Sequence, residues 1–426
     1  MKRWLSILVL LAFCAHTGLA WGQQTRKFKE NLNRFITEAL QNNPELKEAE
    51  KKIEAYEQIP DQAGSLDDPI LRFELKNLPI DSFSFSSQAM TQKQITLSQK
   101  LPFPGKLGLR TEIAQKNVEI VTETYEDLKL SLIKEVKVSF YELCFILAAI
   151  EITKENKSLL QQFITIAETK YSVGKGIQQD VIRAQVELSK IIDELVRLDK
   201  RRDVEKARLN TLMNRMPQAP LSISHGITKT AFNYKIENLQ KAAEENRPVL
   251  KGIRSVIDRF KASERLAKKD FFPDFDVGFR YGQRQSNLTR GLDHPDFVSA
   301  FVGINIPIWQ NTKQRRKVLE ENHKMVMAQE TYNKTRNDIF LKIKESLDEE
   351  VKGTKLLQLI KTGIIPQARQ SLESALAGYG VDKVDFLTLL DNEITVFNWQ
   401  IKYHKELTDY EKNLAELEHI VGKRLF

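Results

Sequence analysis

Four short stretches of the chain alternate between apolar and polar positions. In the first of them, Leu71, Phe73 and Leu75 are separated by single charged residues. A period of two predicts a β-strand with one apolar face. The predicted strands cover about 69–76, 93–101, 275–282 and 298–306. Turn-forming residues fill 77–90 and 283–296, so we predict two hairpins, at about 69–101 and 273–309.

The strand patterns allow two interpretations. Four isolated strands most often form a small, half-buried sheet in a soluble domain. Strands of about ten residues also suit a tilted crossing of a bilayer, with one face toward lipid and the other toward a lumen. Four strands cannot close a barrel, and an open edge cannot face lipid. A membrane barrel would therefore pool strands: eight from two copies, or twelve and a pore from three.

Between the strands the apolar period changes to that of helices. Helical patterns cover about 31–59, 105–173, 181–213, 236–271, 311–378 and 389–422. The pattern over 105–173 predicts a helix of about 100 Å. Leu389, Val396, Tyr403, Tyr410 and Leu417 recur every seventh residue, which is typical of a coiled-coil seam.

The chain also repeats itself. The motif Tyr171-Ser-Val-Gly-Lys175 recurs 208 residues later as Tyr379-Gly-Val-Asp-Lys383, and Pro44-Glu-Leu-Lys47 is matched by Pro248-Val-Leu-Lys251. We therefore predict two repeats, 23–213 and 236–426, joined by a connecting segment at 214–235.

The N-terminus predicts export. Lys2 and Arg3 precede an apolar run of about ten residues that ends in small residues, so 1–22 is interpreted as a signal peptide. A membrane anchor is the alternative, but a spanning helix needs about 20 apolar residues. Without the signal only Cys144 remains, within an apolar run, and it is predicted to be a buried core residue.

Charge and histidine content argue against a nucleic-acid-binding protein and against an enzyme. The formal net charge is +8, but basic and acidic residues interleave, as on solvated helix faces, so no nucleic-acid partner is expected. The histidines lie singly, without metal-ligand spacing, and there is no phosphate-binding loop or nucleophile motif. We expect no enzyme activity, no cofactor and no metal site.

The repeated motif that begins at Tyr171 and again at Tyr379 resembles that of a known family. Tyr171-x-x-Gly174, followed by Asp180-Val-Ile-Arg-Ala-Gln-Val-Glu-Leu188 and echoed by Tyr379 and Thr388-Leu-Leu-Asp391, resembles the TolC family of outer-membrane efflux ducts. Leu101-Pro-Phe-Pro-Gly-Lys106 resembles the strand-to-helix junction of its heavy-metal branch, whose pumps are of the RND type. The resemblance implies a mixed α/β membrane protein: a homotrimer with a 12-stranded outer-membrane β-barrel, four strands per protomer, continued by a periplasmic α-helical coiled-coil barrel.

The same resemblance implies a site at the far end of the helices. Gly174 would end one helix in a left-handed turn, which agrees with the cost of glycine inside helices. The turns near 171–180 and 378–388 would dock a periplasmic adaptor through Gly174, Lys175, Gly176, Gly380, Asp382 and Lys383. A periplasmic gate would use Asp180, Tyr379 and Asp391. Capping is the competing role: Asp180 as the N-cap of a helix beginning at Val181, and Thr388-x-x-Asp391 as a capping box.

The predicted function is therefore a passive duct from an inner-membrane efflux transporter and its adaptor to the exterior, in contact with outer-membrane lipid. Metal ions and small toxic compounds are both open as cargo. A periplasmic coiled-coil scaffold or adhesin is the alternative, since it would explain the helices and the signal but not the paired strands.

Overall fold

The computed structural model describes residues 30–223, 226–286 and 293–426. The predicted signal peptide, 1–22, lies outside the described residues. The helices in chain order are α1 (30–42), α2 (Pro44–Glu57), α3 (Ile59–Gly64), α4 (Lys106–Ser172), α5 (Gln178–Leu212), α6 (Ile236–Asn246), α7 (Pro248–Lys269), α8 (Gln314–Leu359), α9 (Ile365–Gly380) and α10 (Phe386–Val421). The strands are β1 (Ile70–Lys76), β2 (Gln92–Leu101), β3 (Phe275–Gln283) and β4 (Phe297–Ile304).

The chain forms two compact units. Among the described residues, one contains 30–48, 125–248 and 336–426, and the other 49–124 and 249–335. Each unit therefore draws on both predicted repeats.

The second unit contains a single antiparallel sheet of four strands in the order β1-β2-β3-β4. Leu71 lies opposite Leu97, Leu97 opposite Phe279, and Phe279 opposite Ala300. The predicted pairing of β1 with β2 and of β3 with β4 is confirmed. Strand β4 ends at Ile304, so Ile306, which the alternation had included, lies beyond it.

The long predicted helices form, but two of the helical patterns are interrupted before a proline. The pattern over 236–271 is interrupted at Arg247, where the backbone is extended and α7 begins with Pro248. The pattern over 31–59 is interrupted at Asn43, before Pro44. Proline has no N–H and disfavours helical geometry in the residue before it, which accounts for both breaks.

Polar side chains stabilise both interruptions. Asn43 Oδ1 accepts hydrogen bonds from the backbone N–H groups of Glu45 and Leu46, at 2.9 and 3.2 Å, so Asn43 is the N-cap of α2. The buried Arg247 pairs with Asp127 at 2.9 Å. The breaks therefore lie at definite positions.

Helices α8 and α9 are joined without a loop. A π-helical turn, Ile360–Ile364, lies between them, and the backbone N–H of Ile365 donates to the carbonyl of Ile360. Pro366 follows directly. Since proline inside a helix leaves a carbonyl without its N–H partner, the wider turn adapts the helix to it.

The first unit is packed around apolar clusters between helices. One includes Phe35, Phe140, Leu143 and Cys144, all almost fully buried, which confirms the core position predicted for Cys144. A second lies near the helix ends and contains Leu160, Phe163, Tyr379 and Phe386. This second cluster joins α4, α5, α9 and α10 next to the two turns described below.

Candidate functional site

One face of the sheet is apolar and faces outward. The cross-strand rows of the register place Phe73, Ile95, Tyr281 and Val298 side by side, next to the row from Leu71 to Ala300. These side chains are exposed: Phe73 by 71% and Val298 by 64%. A contiguous exposed apolar surface of this kind marks an interaction with lipid or protein.

The opposite face is polar and partly enclosed. Gln94 and Thr96 are only 2% and 7% exposed, and the Gln94 side-chain amide donates to Thr96 Oγ1 at 3.1 Å. Arg280 Nε donates to the same oxygen at 3.4 Å. The sheet is thus inverted relative to that of a soluble domain, and the strand faces predicted from the alternation are confirmed.

The first turn joins α4 to α5. Gly174 has a φ of +74°, so the left-handed conformation predicted for it is confirmed. Its N–H donates to the carbonyl of Tyr171 at 3.0 Å, and the N–H of Lys175 to that of Lys170 at 2.9 Å. These bonds satisfy the last carbonyls of α4, as in a Schellman-type helix end.

The second turn joins α9 to α10 and is built alike. Asp382 takes the left-handed conformation, with a φ of +61°. Its N–H donates to Tyr379 at 3.3 Å, and the N–H of Lys383 to Gly378 at 2.9 Å. Both bonds lie 208 residues after their counterparts in the first turn. Aspartate is one of the few residues other than glycine that enters this region routinely.

The glycine that the second turn requires is Gly378. A Cβ atom there would lie 2.5 Å from Val384 Cγ2, so only glycine fits without a shift. Gly380, one of the predicted adaptor-docking residues, is the last residue of α9. A Cβ atom on it would meet nothing within 4 Å. The close approach of Val384 thus gives Gly378 a role that the sequence pattern did not indicate.

Lys170 links the two turns. Its ammonium forms an ion pair with Asp382, donates to the carbonyl oxygen of Tyr379, and lies 4.1 Å from the centroid of the Tyr379 ring. The pair holds the pKa of Asp382 below its usual value of 3.8, through the hydrogen bond from Lys170. Sequence reasoning missed Lys170 because its partners lie more than 200 residues away and no local pattern marks it.

The predicted gate residues divide into a pair and an outlier. Tyr379 is buried against Phe386, with ring centroids 5.6 Å apart. Burial, followed by the charge of Asp180, raises the pKa of Tyr379, and burial raises that of Asp180 itself. Asp180 therefore lies close enough to Tyr379 for its charge to act on the phenol. Asp391 is exposed on α10.

Both capping predictions are wrong. Helix α5 begins at Gln178 with Ile177 as N-cap, which places Asp180 inside the first turn. Helix α10 begins at Phe386, and its N-cap is Asp385, whose carboxylate accepts from the Thr388 N–H at 2.7 Å. Each helix begins about three residues earlier than the capping pattern indicated. Asp180 near a helix N-terminus still interacts favourably with the helix dipole.

Each turn also exposes a valine followed by a lysine. Val173 and Val381 are both 63% exposed, and Lys175 and Lys383 are exposed as well. The turns therefore present two equivalent apolar and basic patches. The valines were not predicted as site residues, although they occupy matching places in the doubled motif.

Within the described residues, none of the helices has the length and apolar content needed to span a membrane.

Comparisons with known proteins agree with this geometry. The structure of the outer membrane protein VceC from Vibrio cholerae superposes with a TM-score of 0.78 at 17% identity, covering 93% of this chain and 98% of that one. A structure of CusC, described as forming a transmembrane channel, gives a TM-score of 0.77 at 17% identity, covering 93% and 92%. The fold is thus that of the TolC-like channels.

Relatives by sequence include a metal-resistance protein and an export protein. The cobalt-zinc-cadmium resistance protein CzcC of Cupriavidus metallidurans is 20% identical over 393 residues, which are 92% of this chain and 90% of that protein. The toxin and drug export protein A of Aggregatibacter actinomycetemcomitans is 22% identical over 313 residues, 68% of this chain and 65% of that protein. Residues 35–215 and 239–423 match the family described as outer membrane efflux protein. The chain therefore belongs to the outer membrane efflux protein family and is an outer-membrane protein.

Proposed function

We propose that the protein is the outer-membrane duct of a tripartite efflux system and passively conducts its cargo from an inner-membrane pump and a periplasmic adaptor to the exterior. The observation that carries the proposal is the inverted sheet, with its apolar face outward and its polar face enclosed. An outward apolar face suits lipid, and a polar inner face suits an aqueous lumen.

The edges of the sheet support a homotrimer. Strands β1 and β4 lie at the two edges, and edge strands offer backbone N–H and C=O groups to a further strand. In a bilayer these groups need partners, so β1 of one protomer would pair with β4 of the next. Three protomers give twelve strands, which leave room for a pore. The two similar halves of the chain would then supply the helices of a periplasmic coiled-coil barrel.

The two turns are proposed as the docking site for the adaptor, and Asp180 with Tyr379 as the gate. Exposed Val173 and Val381 give an apolar contact, and the neighbouring lysines give charge. One relative is named for resistance to cobalt, zinc and cadmium, and another for export of toxins and drugs. Metal ions and small toxic compounds both remain proposed cargo.

A matched pair of strand variants tests the duct. Val302 is 68% exposed on the apolar face, and Ser299 lies on the opposite face, opposite Arg280. Val302→Arg is expected to hinder insertion into outer-membrane vesicles by about 2–4 kcal/mol if the side chain lies near the midplane. Ser299→Arg is expected to insert and to alter conductance. Equal insertion of both variants would contradict the assigned faces.

The trimer and the gate have separate tests. Chemical cross-linking of detergent-extracted protein is expected to give trimers, and monomers and dimers alone would contradict the barrel.

Asp180→Ala is expected to raise the ion conductance of the closed duct in planar bilayers. Unchanged conductance with lower thermal stability would reduce Asp180 to a structural role at the helix N-terminus.

The alternative is a periplasmic scaffold or adhesin without a channel. Long helices and export would fit it, but it gives no reason for an exposed apolar sheet face. Recovery of the protein in the soluble periplasmic fraction would favour the scaffold.

A further inference from the structure

A cavity of about 400 Å³ lies in the first unit, between α4, α5 and α10. Much of its wall is apolar, formed by side chains that include Phe145, Leu160, Ile191, Ile394 and Phe397. Its volume is in the range of small-molecule sites. None of its lining residues belongs to the turns at 171–180 and 378–388 or to the four strands.

A buried carboxylate lines this cavity. Glu393 is only 2% exposed, and its Oε2 atom has no hydrogen-bond donor among the described residues. Asn156, 6% exposed on α4, likewise leaves its Oδ1 atom without a donor there. Buried polar atoms in native proteins are almost always hydrogen-bonded, and each exception calls for an explanation.

The basic side chains at the cavity wall are already paired. Lys190 forms an ion pair with Glu187 at 2.6 Å, and Arg201 forms one with Glu142 at 2.8 Å. The unpaired atoms named above are both acceptors, and the charge of Glu187 adds to that of Glu393. No positively charged donor among the described residues therefore bonds to Glu393 Oε2 or to Asn156 Oδ1.

We propose that this cavity is a binding site for an organic monocation, an apolar or aromatic body that carries one positive charge and N–H donors. The N–H groups of the cation would donate to Glu393 Oε2 and Asn156 Oδ1, and its body would lie against Phe145 and Phe397. An apolar body suits these walls better than a hydrated metal ion does. A passive duct needs no such site, so the inference does not rest on the proposed function.

The site predicts a dependence on pH. Burial and the nearby Glu187 raise the pKa of Glu393 to about 7. The charged groups facing the cavity are Glu187, Lys190, Glu194 and Arg201 from α5, while α4 contributes the neutral Thr153 and Asn156. A cation binds the ionised carboxylate, so its Kd is expected to rise by about tenfold from pH 8 to pH 6.

The test uses proflavine, a planar fluorescent cation with amino groups, and full-length protein in one detergent. Binding at pH 8 is measured by fluorescence anisotropy for the wild type, for Glu393→Gln and for Asp409→Asn. Gln keeps the shape of Glu393 and removes its charge. Asp409 is an exposed acid on the same helix, paired with Lys405 at its surface, so its variant controls for net charge and for uptake by the micelle.

We expect one proflavine per protomer, a Kd at least tenfold higher in Glu393→Gln, and no change in Asp409→Asn. The pH dependence is expected to disappear in Glu393→Gln. Equal Kd values for all three proteins would overturn the proposal, as would binding of Mg²⁺ or Ca²⁺ that needs Glu393 while proflavine fails to bind. Each readout is independent of transport, so a failed duct assay leaves the result intact.

Discussion

The α4–α5 and α9–α10 turns reach the same backbone geometry with different residues. Both contain a left-handed residue and the same two closing hydrogen bonds, 208 residues apart. Gly174 adopts the conformation without steric cost, and no neighbour would contact a side chain there. Asp382 has a Cβ atom and is held by Lys170. The first turn therefore depends on the absence of a side chain, and the second on a cross-link to the first.

The largest effect is expected from Gly174→Val. A residue with a Cβ in the left-handed region costs roughly 1–2 kcal/mol, and a β-branched one fits it worst. The turn would change shape or α4 would run on, while the sheet and trimer form normally. We expect the variant to reach the outer membrane as a trimer, yet to leave cells as sensitive to the exported toxicant as cells lacking the protein. Normal export would show that the first turn tolerates a side chain and that its docking role is wrong.

The next variant is Gly378→Ala, paired with Gly380→Ala, for which we expect a local change in stability and no loss of export. The new methyl group at 378 would overlap Val384, an overpacking that typically costs about 1–3 kcal/mol. At 380 the methyl group meets nothing, and the better helix propensity of alanine favours the variant by up to about 1 kcal/mol.

Hydrogen exchange across 378–386 measures both changes. We expect faster exchange in Gly378→Ala and equal or slower exchange in Gly380→Ala. The double variant Gly378→Ala with Val384→Ala is expected to restore slow exchange. Equal rates in the two single variants would refute the close approach of Val384.

A smaller effect is expected from Lys170→Met, which keeps much of the length of the side chain and removes its charge. Loss of the cation–π contact with Tyr379 alone costs about 0.5–1 kcal/mol. Exchange is expected to become faster at Tyr379 and Lys383 and to remain unchanged at Gly174. A change confined to the first turn would mean that the cross-link stabilises the first turn and not the second.

The smallest effect concerns pH. Lys170 lowers the pKa of Asp382, so the stabilisation from their pair is present above the usual aspartate value of 3.8 and is lost as the pH falls through the lower folded value. Protection factors in the second turn, which correct the exchange rates for the intrinsic effect of pH, are therefore expected to fall below about pH 4. Asp382→Gly is expected to keep the turn, since glycine accepts positive φ, and to remove this acid dependence. Acid-sensitive exchange that persists in Asp382→Gly would assign the effect to another carboxylate.

The strand faces and the first turn could both be predicted from the sequence. Strand faces follow from a period of two, and the register that aligns Leu71, Leu97 and Phe279 follows from keeping apolar residues on one face. Gly174 was recognisable as a helix end because glycine is costly in a helix. Local residue chemistry thus predicts both features.

Helix boundaries were less predictable. The breaks at Asn43 and Arg247 each precede a proline, which is a signal for a helix end. The apolar periodicity continues past both prolines, and the predicted helices followed it. Ile177 begins α5 without a side-chain cap, so no residue type marks that position. Lys170 and Gly378 depend on contacts made only after the helices have packed, and such contacts leave no pattern in one sequence.

The π-helical turn before Pro366 has a consequence for chain length. Its widened hydrogen-bonded ring accommodates one residue more than a regular helical turn. One residue corresponds to about 100° of rotation in an α-helix, enough to move Tyr379 from the core to another face. Insertions or deletions of one residue among homologous chains are therefore expected to collect at 360–364, where a change of ring size absorbs them. A deletion of one residue within α9 would instead rotate the α9–α10 turn away from Lys170 and the first turn.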